Sequence, residues 1–251
     1  PSDDILDVEI TPNRPDCLSH LGLARELAAY FRLALRAHLA PAAAATGDKP
    51  CLPVKIEAAK ACPRYLGRSF ENLQVGPSPA WLAAKLEAVG LRPINNLVDI
   101  TNYILMDMGQ PLHVFNAQAL EGAQIVVRYA ASGEKIKALD GRSYDLTPDC
   151  LVIADAKKPA AIAGVMGGEE SSVTAKTTAA FLESAYFSPV VVRKTSSLLR
   201  LRSDSSVRFE RGADIEAVES ASQKAAGLIA ALCGKNTAAS KALDQYPAKE
   251  Q

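Results

Sequence analysis

No run of apolar residues in this chain approaches the roughly 20 that a membrane-crossing helix requires. Windows such as Leu151-Val152-Ile153-Ala154 fall far short, and a soluble protein is expected. Net charge is also missing. Lys plus Arg number 28 and Asp plus Glu number 28, so no overall field draws the molecule to nucleic acid or to an anionic membrane, and any RNA contact has to be local. The five cysteines form no Cys-x-x-Cys pair; an odd, scattered set in a chain of this length predicts reduced thiols in the cytoplasm and argues against a zinc site. The opening Pro1-Ser2-Asp3-Asp4 has no initiator Met, basic segment or apolar signal region, and reads as the edge of something longer. What is present is an ordinary globular balance, 48% hydrophobic against 22% charged over 251 residues. That excludes disorder as the main state and is enough chain for one substantial core or two small domains.

Residues 5–10 alternate in the strand manner, and the two prolines of Thr11-Pro12-Asn13-Arg14-Pro15-Asp16 then force a turn. From Cys17 the spacing of Leu23, Leu27, Tyr30, Phe31 and Ala34 predicts a helix ending near Leu39, capped by Asp16 or Ser19. The alanine-rich segment from Pro41 to Pro50 has no periodic face and reads as a linker. Further on, a strand is predicted from Tyr65 to Asn72, a helix opening at Ser78-Pro79 and stopping at Gly90, and a helix after Pro93 that places Leu97, Ile100, Thr101, Ile104, Leu105 and Met108 on one face before a left-handed cap at Gly109. Between Gln124 and Glu183 the pattern turns to short β-branched runs at 125–129, 135–139, 142–146, 151–154, 160–166 and 180–186, with Asp140-Gly141 as a hairpin signal. Ser188-Pro189 starts another helix, and Asp214 caps a long one that ends at Gly234. The polar tail from Asn236 has no clear face and is expected to be loosely held.

Only three histidines are available for acid–base work near neutral pH. His20 and His38 read as partly exposed helical positions, whereas His113 follows a helix stop and a proline in Gly109-Gln110-Pro111-Leu112-His113, where a side chain on a restrained loop can face a cavity. Ala163-Gly164-Val165-Met166-Gly167-Gly168 closes an apolar strand with three glycines; it is either a tight strand exit or a place where a ligand meets bare backbone. It matches neither dinucleotide nor phosphate-loop spacing. Glu183 is a carboxylate in an otherwise apolar strand, so it either faces solvent or needs a partner or ligand. From Arg193 to Arg211 six basic residues stand against two acidic ones, a local excess suited to a phosphate backbone or to internal ion pairs with Glu210. No Gly-x-Ser-x-Gly elbow supports serine hydrolase chemistry.

These clusters lie in one order: Ile10-Thr-Pro-Asn-Arg-Pro-Asp-Cys-Leu-Ser19, Gly22-Leu-Ala-Arg-Glu-Leu27, Arg92-Pro-Ile-Asn-Asn-Leu-Val-Asp-Ile-Thr-Asn-Tyr103, Gly109 to His113, Ala163 to Gly168, Leu182-Glu-Ser-Ala185 and Arg208-Phe-Glu-Arg-Gly212. Together they resemble the β subunit of bacterial phenylalanyl-tRNA synthetase, in the region of its B3/B4 editing module. The resemblance implies an α+β fold, a three-layer module with a central β region flanked by helices. It divides the chain into a closing strand and helix of the preceding domain (1–40), a linker (41–61), the editing domain (62–235) and the loosely held tail (236–251). The implied activity is hydrolysis of tyrosine misattached to phenylalanine tRNA, the alternative being a binding module whose editing has lapsed.

By the same resemblance, Thr101, Asn102 and His113 match catalytic-pocket positions, and Ala163, Gly164 and Gly167 match a glycine wall. Glu183 matches the carboxylate that reads the tyrosine para-hydroxyl. Ser203 and Ser205 match a small hydroxyl residue and a small gate, the latter commonly Ala; Asn116 stands where Asp is common, and Val207 where Tyr is frequent. No metal or cofactor is implied for this piece, since ATP and Mg belong to the synthetic site of the α subunit. The expected partners are phenylalanine tRNA and that α subunit, in an α2β2 assembly in the cytoplasm and away from membranes.

Overall fold

The protein is described by a computed structural model covering residues 5–35 and 50–247. Asn13 to Ser19 turn the chain into α1 (His20–Phe31), with the Ser19 hydroxyl accepting from the Gly22 amide as N-cap. The main body then runs β1 (Val54–Ile56), β2 (Arg64–Glu71), α2 (Ala80–Ala88), α3 (Asn96–Met108), β3 (Leu112–Asn116), β4 (Ile125–Tyr129), β5 (Lys135–Lys137), β6 (Ser143–Asp145), β7 (Leu151–Ala154), β8 (Pro159–Ile162), β9 (Met166–Gly167), β10 (Ala180–Tyr186), α4 (Pro189–Leu199), α5 (Asp204–Arg211), α6 (Ala217–Leu232), β11 (Ala238–Ala239) and β12 (Leu243–Gln245). Local chemistry explains several boundaries. Asn95 caps α3 by accepting from the Leu97 and Val98 amides, and Gly109 ends it at φ +77°, a left-handed conformation that glycine adopts without strain. Gly141, at φ +79°, turns the β5–β6 hairpin after Asp140.

One sheet has the order β1-β4-β7-β8-β9, and a second has the order β11-β2-β10-β3 with β12 also on β2. The two sheets share a core in which Tyr65, Phe115, Phe181 and Ala185 from the second meet Ile125, Val127, Leu151 and Ile153 from the first; α4 and α5 add Val192 and Phe209. The other face of the second sheet is covered by α2, α3 and α6, through Leu82, Leu86, Ile100, Ile104, Ala221, Ala225 and Ile229. The result is the three-layer α+β arrangement expected, helices on sheet on sheet.

The pleat of β10 decides what each side chain meets. Ala180 and Leu182 belong to the helix-side core, and the Ser184 hydroxyl donates to the Val218 carbonyl of α6 at 2.7 Å. Phe181 and Ala185 belong to the core between the sheets, so Glu183, in phase with them, also faces that interior. β10 lies between two antiparallel neighbours, with Glu183 opposite Gly67 on β2 and opposite His113 on β3.

The structure differs from the sequence reading in several places. Residues 5–10 form no strand, and α1 stops at Phe31 because Arg32 turns left-handed at φ 55°; Leu39 and His38 lie outside the described residues. Leu27, Tyr30 and Phe31, read as an inward face, are exposed, since no element among the described residues packs over them. The expected linker at 41–61 contains β1, which pairs in parallel with β4 and buries Val54; residues 41–49 of it lie outside the described residues. The described part of the expected loose tail, 236–247, instead adds β11 and β12 to β2, and Asp244 accepts from the buried Arg64 guanidinium at 2.7 Å; residues 248–251 lie outside the described residues. His113 sits on a strand, not on a loop. The basic segment runs through α4 and α5; Arg193, Lys194, Arg200 and Arg202 lie exposed on the surface, and Arg208 turns inward. Arg208 is buried, donates to the Leu18 carbonyl and pairs with Asp204, while Arg202 meets Glu210.

The inter-sheet core should dominate stability. Phe181→Ala is expected to lower the unfolding free energy by ~3–5 kcal/mol, and Leu27→Ala on the exposed face of α1 to change it by no more than ~0.5 kcal/mol. Urea denaturation of the two variants beside the wild type checks both.

Candidate active site

The hollow that matters opens between the two sheets. Its wall is built from His113 on β3 and Glu183 on β10, from Ile153, Ala161 and Ile162 on the first sheet, from the Gly164 to Gly167 segment, and from Ser205 and Phe209 on α5. Its cavity volume is about 60 Å³, a tight hollow well below the ~300–1,000 Å³ typical of small-molecule pockets. Residues about seventy positions apart in the chain therefore meet through strand register. His113 and Glu183 are directly opposed across β3 and β10, and opposed residues project from the same face with Cβ atoms ~5 Å apart.

Glycine makes room where the wall is tightest. A Cβ at Gly167 would lie 2.8 Å from the His113 Nε2, and one at Gly164 would lie 3.0 Å from the Phe209 ring. Gly164 also holds φ +69°, a turn between β8 and β9 that L side chains avoid. The expected single strand at 160–166 breaks there for this reason.

The two titratable groups in the wall are mainly neutral near pH 7. The His113 Nε2 is sealed from solvent and has no hydrogen-bond partner, and the ring stands edge-on to Phe115 at 4.4 Å. Burial lowers its pKa from 6.5 to about 4, because a charged imidazolium would lose its hydration without gaining a partner. Glu183 is 6% exposed, and burial raises its pKa from 4.5 to about 8, against a smaller opposing effect of its hydrogen bond from Tyr65. That bond, from the Tyr65 hydroxyl to Oε2, measures 2.7 Å. Burial is also the main reason that the Tyr65 hydroxyl and the nearby Cys62 thiol stay protonated well beyond their ordinary ranges. The carboxyl group that the sequence left either facing solvent or in need of a partner is buried, mostly protonated and held by a phenol.

Of the residues singled out from the sequence, His113, Glu183, Gly164, Gly167 and Ser205 line one pocket. Thr101, Asn102, Ala163 and Ser203 do not. Thr101 is buried in α3 and donates to the Val98 carbonyl one turn back. Asn102 is its neighbour on the same helix, outside the lining. Ala163 is fully buried in the core, its amide donating to the Leu151 carbonyl. Ser203 caps α5 in a reciprocal capping box with Ser206, and its hydroxyl also donates to the Val165 carbonyl at 2.6 Å, so it anchors the wall from behind. The sequence reading missed Tyr65, Met166 and Phe209. Tyr65 was visible only as one aromatic in a predicted strand, and nothing local marks it as the partner of a residue 118 positions away. Elsewhere Asp16, Cys17 and Glu26 come together as candidate metal ligands, but Arg14 bridges both carboxylates at 2.7 and 2.6 Å. No helix among the described residues is long and apolar enough to cross a membrane.

These shifts carry a pH signature with opposite signs. Glu183 takes up its proton more readily folded than unfolded, so its contribution is fully present below about 4.5 and is lost as pH rises towards 8. His113 resists protonation in the folded state, so stability is lost as pH falls from 6.5 towards 4. Glu183→Gln should therefore gain on the wild type by on the order of 3 kcal/mol between pH 5 and pH 8.5, at 1.36 kcal/mol per unit. Paired urea titrations at those two pH values measure the change; a gap independent of pH would contradict the buried, protonated carboxyl.

A family model described as B3/4 domain matches residues 61–234. The chain is 49% identical over 253 aligned residues to the phenylalanine--tRNA ligase beta subunit of Moorella thermoacetica, an alignment that takes in 99% of this chain and 31% of that one. It is 46% identical to the corresponding protein of Geobacter metallireducens, over 98% of this chain and 31% of the relative. The chain thus spans about 31% of the length of the curated relatives it matches. Among solved structures, an N-terminal fragment of the phenylalanyl-tRNA synthetase beta-subunit from Pyrococcus horikoshii aligns with TM-score 0.42 and 14% identity, over 76% of this chain and 60% of that one, a likeness too loose to add to the assignment. With its pocket enclosed by the matched segment and its relatives agreeing along nearly all of it, the chain belongs to the B3/4 domain family, in the form found in phenylalanine--tRNA ligase beta subunits.

Proposed function

We propose that this pocket hydrolyses tyrosine misattached to phenylalanine tRNA, as the editing part of a bacterial phenylalanine--tRNA ligase β subunit that works with an α subunit in an α2β2 assembly in the cytoplasm. The observation that carries the reading is a buried carboxyl group, Glu183, in the wall of the hollow between the sheets and directly across from an imidazole with an unpartnered nitrogen. Tyrosine exceeds phenylalanine by one oxygen, so a site that must accept the larger side chain cannot sort by size. Polarity has to do it. Tyrosine offers Glu183 a hydroxyl partner, whereas phenylalanine covers the carboxyl and leaves it unsatisfied in the pocket. A neutral hydrogen bond is worth roughly 0.5–1.5 kcal/mol, and stranding a buried polar group costs roughly 1–3 kcal/mol more. Together they give discrimination of roughly tenfold to a thousandfold.

The hydrolysis itself needs a water molecule to attack the ester carbonyl. His113, with its pKa near 4, is a poor proton acceptor at neutral pH but a good hydrogen-bond acceptor, and its unpaired Nε2 suits it to orient the water or the ammonium end of the substrate. The proton of the attacking water then leaves through the free hydroxyl of the terminal ribose to the departing ester oxygen, so no covalent enzyme intermediate and no cofactor enter. The bare backbone at Gly164 and Gly167 lets the substrate approach closely, and Ser205 keeps the gate small. Thr101 and Asn102 offer no group to the lining and are given no contact with the substrate.

The test is made in an intact ligase carrying Glu183→Ala or His113→Ala. Hydrolysis of tyrosyl-tRNA specific for phenylalanine should fall at least ~tenfold in each, with aminoacylation by phenylalanine retained. Unchanged hydrolysis in both variants would sink the reading. A wild-type enzyme that binds the mischarged tRNA without hydrolysing it would favour the lapsed binding module.

A further inference from the structure

We infer that Tyr65 is a positioning residue for the recognition performed by Glu183, turning the carboxyl so that Oε1 is the oxygen presented to the substrate. The inference rests on the proposed editing function and deepens it. Tyr65 is absent from the pocket lining and fully buried, so any influence it has on a bound amino acid passes through another group. That group is Glu183, for which Tyr65 is the hydrogen-bond partner among the described residues.

The register explains how the contact arises. Gly67 lies directly opposite Glu183 on β2, and Tyr65 lies opposite Ala185, one pleat away on the same face. Gly67 carries no side chain, and the Phe181 ring occupies the space over it. The Tyr65 ring lies nearly parallel to Phe181, with centroids 6.5 Å apart and 16° between planes, which fixes its direction. From this diagonal position the hydroxyl reaches back to Oε2 at 2.7 Å.

Three titratable groups surround the carboxyl: Tyr65 on β2, His113 on β3 and Cys62 just before β2. Tyr65 keeps its proton throughout the working range and is therefore always a donor toward Oε2. A carboxyl that accepts there carries its own proton, while neutral, on Oε1. The phenol thus decides both which oxygen faces the pocket and which one bears hydrogen. Without it, rotation about the terminal bond of Glu183 would exchange the two oxygens. The ring alone accounts for the stack on Phe181, and the hydroxyl is the part of the side chain that meets Glu183.

The experiment is a double-mutant cycle in the intact ligase, with Tyr65→Phe, Glu183→Gln and both together. Tyr65→Phe keeps the ring and its stack on Phe181 and removes only the oxygen. The readouts are kcat and KM for hydrolysis of tyrosyl- and phenylalanyl-tRNA from pH 5.5 to 9. The expected result is a roughly fivefold fall in tyrosine-over-phenylalanine discrimination for Tyr65→Phe. The pH dependence should also move upward, since the lost hydrogen bond had been lowering the Glu183 pKa. The double variant should be no worse than Glu183→Gln alone. If Glu183→Gln weakens editing while Tyr65→Phe leaves discrimination and pH profile unchanged, or if the two losses multiply, the positioning role is overturned and the editing function stands. If Glu183→Gln itself is silent, the editing reading falls and this inference with it.

Discussion

The antiparallel register of β10 between β2 and β3 is the constraint on which the site depends. Because side chains alternate along a strand, the pairing that sets Glu183 opposite His113 also sends Phe181 and Ala185 into the inter-sheet core and Ala180 and Leu182 into the helix-side core. A slip of one residue would exchange every one of these environments. It would put a carboxyl among Ile100, Ile104 and Ile229 and turn Leu182 toward the pocket. Two separate hydrophobic layers therefore hold the polar pair in phase, and neither layer tolerates the alternative.

That geometry determines the electrostatics. An acid and a base brought together in water would form an ion pair, but here burial acts on both before they can charge. It raises the Glu183 pKa and lowers the His113 pKa until both are mainly neutral over the same range of pH. Two neutral groups in this hollow cost less than two charges, and they retain directional hydrogen bonding. The Tyr65 hydroxyl satisfies one carboxyl oxygen, whereas Nε2 of His113 has no partner. An unsatisfied buried nitrogen costs the fold free energy, and a ligand in the pocket is the natural way to recover it.

Much of the scaffold is legible from local chemistry. The Asn95 cap, the left-handed Gly109, the Asp140-Gly141 hairpin and the largely apolar run of β10 each rest on a few adjacent residues, and each appears at its expected place. The misreadings share a cause. β1, β11 and β12 are two or three residues long, too short for an apolar period to register, and they exist because β4 or β2 offers an edge from a distant part of the chain. Arg208, one of the six basic residues of its segment, looked available for phosphate; it turns inward to a carbonyl at Leu18 and a carboxylate at Asp204. Ser203 reads as a pocket residue, but helix α5 claims its hydroxyl as a cap.

The amino-acid order established the chemical types and their succession: an imidazole after a helix stop, a glycine cluster at a strand exit, and a lone carboxyl in an apolar strand. It did so because turns, caps and alternation are short-range. Tertiary structure alone decided that Glu183 meets Tyr65, that both ionisable groups in the pocket stay uncharged, and that Thr101, Asn102, Ala163 and Ser203 stand outside it. Those outcomes depend on strand register and on how completely water is excluded. Both are properties of packed surfaces contributed by remote segments, and no window of neighbouring residues contains them.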